Sequence, residues 1–393
     1  MADTLYFSRD TKVYLAMGSD IWEIPVLDGF SFSQATNASE ITLNEMADSA
    51  GKSRRARQMF TDSYAPAEWS FSTYMRPFIA VNGSTGGWED TGSDNQHHAV
   101  EEPLWANFAS APSFTASSGT TEAVWDAGVD NSTTNMVVDF VDSEKTALGT
   151  FDLFFVLGKG KTNPTIYKIE GCVVNEAGID FDIDGIATIN WSGFGSIITD
   201  HASEPTATIT EAVSATSNFI RNRLTTLGVA AVQDPDGDGT NEFESTYDLV
   251  LTGGNITLTN NITFLTPETL GVVNQPIGHV TGTRSISGSF TCYLDGDTAS
   301  NGSATLFEDI IEATDVITND FSLTFYIGGE TGSNVLNAPG VQIDLPTCHL
   351  EVPNHSIDDV ISVETNFHAL PASISPTAAD DFEAKITYKG TTY

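Results

Sequence analysis

The sequence predicts a mainly β protein of two tandem domains, residues 1–200 and 201–393, with one short helix in each. Three observations point there. Apolar and polar residues alternate over many short stretches, the period of strands with one wet face. The stretch Gly171–Phe194, GCVVNEAGIDFDIDGIATINWSGF, returns near the C-terminus as Thr347–Leu370, TCHLEVPNHSIDDVISVETNFHAL. The elements leading up to each copy follow one order, as a duplicated domain requires.

In the first half, Thr11–Met17 and Ile21–Val26 read as strands around the turn Gly18-Ser19-Asp20. Gly29–Ala35 sets Phe30 and Phe32 against serines, and Trp69–Met75 is the next strand. Residues 79–103 are rich in Gly, Ser and Asp and read as a surface loop. Pro103–Ser110 has Leu104, Trp105 and Phe108 at helical spacing, with Pro in the first turn where its missing N–H costs nothing. Residues 111–150 read as loop, with a hairpin over Glu122–Trp125 and Met136–Val141. Phe151–Leu157 and Thr165–Glu170 are strands that lead into the repeated stretch.

The second half repeats this order. Phe219–Val232 and Phe243–Thr252 pair, and Gly254–Thr259 takes the place of Gly29–Gln34. Ile286–Leu294 parallels Trp69–Met75, with Ser70-Phe71-Ser72 against Ser289-Phe290-Thr291. Leu306–Ala313 matches the first helix, and Phe321–Ile327 matches Phe151–Leu157. The first copy is longer around its helix, an insertion at about 79–150, and the linker falls near Thr199–Ser214. At an offset of 176, Cys172 meets Cys348, Asp182 meets Asp358, Asn190 meets Asn366 and Trp191 meets Phe367. An even offset keeps each strand's inner and outer faces.

Composition removes several function classes. A net charge of −37, from 53 acids against 16 bases, opposes direct binding to nucleic acid or anionic membrane. Cys172, Cys292 and Cys348 are too few for a disulfide scaffold, and none has zinc-motif spacing. No basic-then-apolar leader is read at the start, and no apolar run is long enough to span a membrane, so no membrane insertion is expected. The seven histidines show no H-E-x-x-H spacing, and no G-x-S-x-G, P-loop or dinucleotide fingerprint occurs. His349, His355 and His368 near Cys348 have no equivalents around Cys172, so a metal cluster is not expected. Paired acids such as Asp358-Asp359 imitate glycosidase carboxylates but are unavoidable among 53 acids. The chain is not expected to be an enzyme.

The order of strands, long loop, strand, short helix and further strands resembles the tail tube proteins of long-tailed bacteriophages. GFSFS, WSFSTYMRPF, PLWANF and IDFDIDGIATINWSG carry the resemblance in the first half, FIRNRLTTL and SISGSFTCYL in the second. It implies two tail-tube-like β-sandwich or barrel domains that contribute strands to an inter-subunit β-barrel. In that family six copies of the fold close a ring around a DNA channel and rings stack into a tube. A chain with two copies then needs three subunits per ring, a homotrimer with pseudo-sixfold symmetry. The implied partners are further copies of the chain, other tail proteins such as terminator, tape measure, baseplate or tip, and genomic DNA passing without specific binding. The implied location is the virion, with assembly in the host cytoplasm.

Three sets of residues are candidates for function. Asp182, Asp184, Thr188 and Asn190, with Asp358, Ser362, Glu364 and Asn366, form the polar face of the repeated strands. They read as lumen lining, whose negative charge would let DNA slide past, or as an ordinary outer strand face. Lys52, Arg54, Arg55 and Arg57 form a basic cluster read as a ring-stacking loop, with a solvated loop or a nucleic-acid contact as the other readings. Asp234, Asp236 and Asp238, then Thr240 and Glu242, resemble the first half of a calcium loop. Position 12 of that loop is Ser245 and the flanks read as strands, so an acidic hairpin tip is the competing reading; no cofactor is required. The rival to a tube subunit is a calcium-dependent β-sandwich module for carbohydrate binding or surface adhesion.

Overall fold

The computed structural model describes residues 5–41, 49–50, 58–80, 88, 96–117, 123–140, 147–209, 218–234, 243–296, 301–312, 321–329, 339–357, 359–371 and 382–390. The first half lays down β1 (Thr11–Met17), β2 (Asp20–Ile24), β3 (Ser31–Ile41), β4 (Gln58–Tyr74), α1 (Glu102–Ala109), β5 (Phe151–Leu157), β6 (Thr165–Asp182), β7 (Thr188–Gly195) and β8 (Ile197–Asp200). The second lays down β9 (Thr226–Ala231), β10 (Thr246–Asp248), β11 (Leu251–Thr259), β12 (Ser285–Tyr293) and α2 (Ser303–Glu312). It ends with β13 (Phe321–Gly328), β14 (Gly340–Leu350), β15 (Asn354–Ile357), β16 (Ile361–Ala369) and β17 (Lys385–Lys389). Shorter strands are named by residue.

The 18-residue strand β6 serves two layers. Its first part, Thr165–Cys172, pairs with β5 and β8; its second, Val173–Asp182, pairs with β7 and β11. Gly171 sits where the chain changes layers, at φ +58°, a conformation that strains any residue with a Cβ. The second part of β6 lies in an antiparallel row that runs β3–β4–β7–β6–β11–β12–β16–β15. The other layer holds β2–β1–β5–β6–β8 in the first half and β10–β9–β13–β14–β17 in the second.

The ladders of the two halves agree in detail. Phe151 faces Cys172 with a bulge before Leu153, and Phe321 faces Cys348 with a bulge before Leu323. Each cysteine thiol donates to the carbonyl three residues earlier, Ile169 in one half and Leu345 in the other. Ser70 faces Ser192 and Ser289 faces Asn366, so the Ser-Phe-Ser and Ser-Phe-Thr stretches match as the sequence aligns them.

The closing strand is different. Asn190 faces Gly178, whose counterpart Asn354 faces Glu364, so Asn190 matches Glu364 and Trp191 matches Thr365. The offset there is 174, two less than the sequence alignment assumes, because the turn before β16 is shorter than residues 183–187 before β7. A slip of two leaves every side chain on its own face, which is why the alternation conceals it. The ladders also match Phe32 with Ile256, one residue away from the sequence alignment of these strands.

One continuous core runs between the layers and includes Trp69, Trp105, Trp191, Phe325 and Phe367. Helix α1 lies inside it with all eight residues buried, and Trp105 meets Trp191 edge-on at 4.8 Å. The described residues of the stretch expected to be a surface loop, 79–80, 88 and 96–103, lie instead in or against this core. Trp88 and His97–Ala99 are buried, and Trp88 packs on His98 at 4.7 Å. Polar composition misled there, because His97, His98 and Glu102 find hydrogen-bond partners inside the protein rather than in water. The linker is also tied down: Thr208 Oγ1 accepts from Ile21 N–H, and Ile209 is buried beside Trp22.

The halves interlock beyond the row. Met136–Val138, from the first half's insertion, pairs with β17 of the second. Trp105 Nε1 donates to the Tyr388 hydroxyl on β17 at 2.8 Å. Arg284 reaches from the second half to donate to the Ala109 carbonyl at the end of α1, at 3.3 Å. A cation at a helix C-terminus is favourable.

Candidate functional site

The row's outer face is polar from edge to edge. Tyr74, Thr188, Asp180, Asn255, Ser289 and Asn366 stand side by side across six strands. One step along, Asp182, Gly253, Thr291, Glu364 and Asn354 do the same. The opposite face is dry: Ile179, Ile189, Trp191, Ile256, Phe290, Val363 and Phe367 are each at most 2% exposed.

The charge on this surface is one-sided. Glu68, Glu176, Asp180, Asp182 and Glu364 lie on it, and no Lys or Arg occurs in β3, β4, β7, β11, β12, β15, β16 or in β6 beyond Gly171. The cations sit elsewhere, as where Lys168 bridges Asp152 at 2.9 Å in the other layer.

Of the expected lining residues, Asp182 is exposed at the end of β6. Asp184 lies in the following turn, with Arg223 at 3.3 Å, so its charge is shared with a cation off the row. Thr188 opens β7, half-buried. Asn190 accepts from Ser72 Oγ at 2.7 Å and donates to Asp180 Oδ2 at 2.9 Å, a cross-strand chain of hydrogen bonds. Ser362 is half-buried and Glu364 exposed. Asn366 donates to Glu351 at 2.8 Å, and His368 lies 3.4 Å from the same carboxylate. Those two side-chain hydrogen bonds hold the Glu351 carboxyl below its ordinary pKa. Asp180 and Glu176 were absent from the expected set although Asp180 has the right parity; their neighbours across the strands mark them as members.

Asp358 lies outside the described residues, as do Lys52, Arg54, Arg55, Arg57, Asp236, Asp238, Thr240 and Glu242. The acidic motif falls between β9 and β10, where Gly18-Ser19 joins the matching strands of the first half. Among the described residues, no group of three His, Cys, Asp or Glu is placed to hold a metal. His349 and His368 face one another across β14 and β16.

A second polar cluster lies at the start of α1, sealed from solvent. The Glu102 carboxylate accepts from Trp125 Nε1 at 2.6 Å, Ala99 N–H at 3.0 Å and Asn131 Nδ2 at 3.2 Å, with His98 Nδ1 at 3.1 Å. Beside it, burial pushes the Glu101 carboxyl up to about 7, against hydrogen bonds from Tyr388 and Arg76. Burial, with Glu101 nearby, also pushes the Tyr388 phenol well up. A His–Glu pair suggests acid–base chemistry, but both side chains are at most 1% exposed, so no substrate reaches them. They tie the insertion to α1.

Residues 30–387 match the sequence model of the family described as phage tail tube protein. The tail tube protein pb6 of Escherichia phage T5 is 30% identical over 383 residues, which span 94% of this chain and 74% of that protein.

Proposed function

The chain belongs to the phage tail tube protein family, and we propose that three copies close into each ring of a tube through which genomic DNA leaves the particle. Membership makes it a structural subunit of the virion tail and not an enzyme. Rings of three follow from two tandem copies of the tube fold in one chain, residues 1–200 and 201–393. The agreement of the ladders around Cys172 and Cys348 supports that duplication.

One observation carries the assignment of the lumen: a continuous polar face bearing carboxylates and no Lys or Arg. A wall of that charge repels the phosphate backbone, so DNA slides through without being held. Asp180, Asp182, Thr188, Asn190, Ser362, Glu364 and Asn366 line this wall, and Asp358, outside the described residues, is assigned to it from the sequence alone. Asp184 belongs to its rim. Lys52, Arg54, Arg55 and Arg57 fall in sequence between β3 and β4, and we assign them to pairing with acids of the next ring. Each such pair contributes about 0–1 kcal/mol but recurs around every ring.

Reversing Asp180, Asp182 and Glu364 together to Lys is expected to slow DNA release while rings still assemble. Single-particle fluorescence of ejection from mutant virions measures this. Unchanged kinetics from fully assembled tails would show that this face does not line the channel.

A further inference from the structure

We propose that His349 and His368 form a binding site for one divalent transition-metal cation of the class that prefers nitrogen ligands, such as zinc or copper. The site belongs to a single chain, on the polar face of the row, and needs no second copy.

β14 and β16 pair antiparallel, with Cys348 opposite Ala369, His349 opposite His368 and Leu350 opposite Phe367. Alternation buries Cys348, Leu350, Phe367 and Ala369 and leaves both histidines exposed on one face. Residues directly opposite in an antiparallel pair bring their Cβ atoms to about 4.5–5.5 Å, close enough for two imidazoles to reach one ion. The register is pinned on both sides of the pair. Glu351 N–H donates to the Asn366 carbonyl at 2.9 Å, and Leu370 N–H donates to the Thr347 carbonyl at 2.9 Å.

A carboxylate stands behind the pair. Glu351 Oε1 lies 3.4 Å from His368 Nε2, and Asn366 Nδ2 donates to Glu351 Oε2 at 2.8 Å. After those two hydrogen bonds, the charges of His368 and His349 also help to hold the Glu351 carboxyl low, so both rings lie within its reach. A metal-bound imidazole commonly gives its other N–H to a carboxylate, which fixes the tautomer and makes the ligating nitrogen more basic. Glu351 is in place to accept from His368 Nε2 and leave Nδ1 for the ion. Imidazole pairs suit zinc, copper and nickel, whereas calcium and magnesium take oxygen ligands. Water fills the remaining positions, since among the described residues no group of three His, Cys, Asp or Glu is placed to hold a metal.

The fold does not require histidines here. In the first half the matching ladder sets Val173 opposite Phe194, and both lie in an apolar cluster with Ile262 and Phe264. Asn175, three residues after Cys172 as Glu351 is after Cys348, accepts the Ile262 N–H at 2.9 Å. The second half has imidazoles and a carboxylate in these places, with the His368 and Glu351 side chains 52% and 46% exposed. The sequence alone argued against a metal because Cys172 lacks such neighbours, but Cys348 is buried and takes no part. His355 is also outside the group, since it lies opposite Val363 and packs on Phe307 at 4.4 Å.

Zinc and copper, added to the whole chain, test the site. Calorimetry with Zn2+ is expected to show one site per chain, weakened about tenfold or more by His349→Gln or His368→Gln. The double variant supplies the background from the 53 acids, and equal Zn2+ binding by wild type and double variant would overturn the site. Both side chains are exposed, so the variants should melt with the wild type, which separates lost binding from lost fold. Electron spin echo of bound Cu2+ needs no substitution: two imidazole nitrogens are expected in wild type, and one or none would overturn the pairing. Glu351→Gln should keep the two-imidazole signal and weaken Zn2+ about tenfold, and an unchanged affinity would remove Glu351 from the site. Displacement of Zn2+ by an equal concentration of Ca2+ would mark a carboxylate site instead and overturn the proposal.

Discussion

The middle of the row and its two ends differ in what covers them. In the middle, Ile179 and Ile256 are 1% and 0% exposed and face each other across β6 and β11. At the ends, the matching positions, His355 on β15 and Phe32 on β3, are exposed and half-buried. In the middle each strand has a partner on both sides, whereas among the described residues β3 and β15 each pair on one side only. What differs is the presence of a partner strand on the second side, along with the interruption at Pro353 between β14 and β15.

Substitutions at matched places should separate the two conditions. Ile256→Asp puts an unpaired charge into the closed junction and is expected to prevent folding, since such burial costs several kcal/mol. Ile357→Asp, on the open edge, should leave the monomer's thermal melt within about 0.5 kcal/mol of wild type while abolishing rings. Calorimetry together with negative-stain microscopy reads both. Equal damage to folding from the two substitutions would erase the distinction.

The next largest effect concerns the helices, which hold the same place in the chain order of each half with different anchoring. Glu102 at the start of α1 gathers donors from three segments, whereas Asp309 on α2 accepts from Tyr247 Oη at 2.6 Å at a partly exposed site. Glu102→Ala strands buried donors and is expected to cost about 3–5 kcal/mol. Asp309→Ala should cost about 1 kcal/mol. Denaturant titration of both variants makes the comparison, and similar losses would show that α1 is not the more deeply anchored helix.

A subtler effect follows from Glu101. Its carboxyl is raised from 4.5 to about 7 by burial, so the folded chain keeps a proton that the unfolded chain releases. The stability this group contributes is full below about 4.5 and is lost as pH rises through about 7. Glu101→Gln removes that slope. The melting temperature of the variant relative to wild type should therefore rise between pH 5 and pH 8, and a constant difference would contradict the assignment.

The sequence made the row legible because β7, β11, β12 and β16 alternate cleanly, and alternation reports one dry face and one wet one. It made the repeated order legible through Cys172, Phe71 and their partners. It could not fix register in the closing strand, because a two-residue slip preserves parity. The insertion differs for another reason: His97, His98, Glu101 and Glu102 look solvated in one dimension, and only the folded chain shows that they are buried. Asp184 shows the limit for the site, since parity set it on the polar face of a strand, whereas β6 ends at Asp182 and leaves it in the turn beside Arg223, 39 positions away. The value of Asp180 likewise came from neighbours on other strands.

The central claim is that one chain supplies two consecutive sixths of a ring. Cryo-electron microscopy of tubes assembled from the purified protein tests it through the rotational symmetry of the cross-section. The expected result is threefold symmetry with a sixfold-like inner wall, in which the β6–β11 junction alternates with a β15–β3 junction between chains. A tube of true sixfold symmetry, with six whole chains per ring and β3 and β15 left apart, would contradict it.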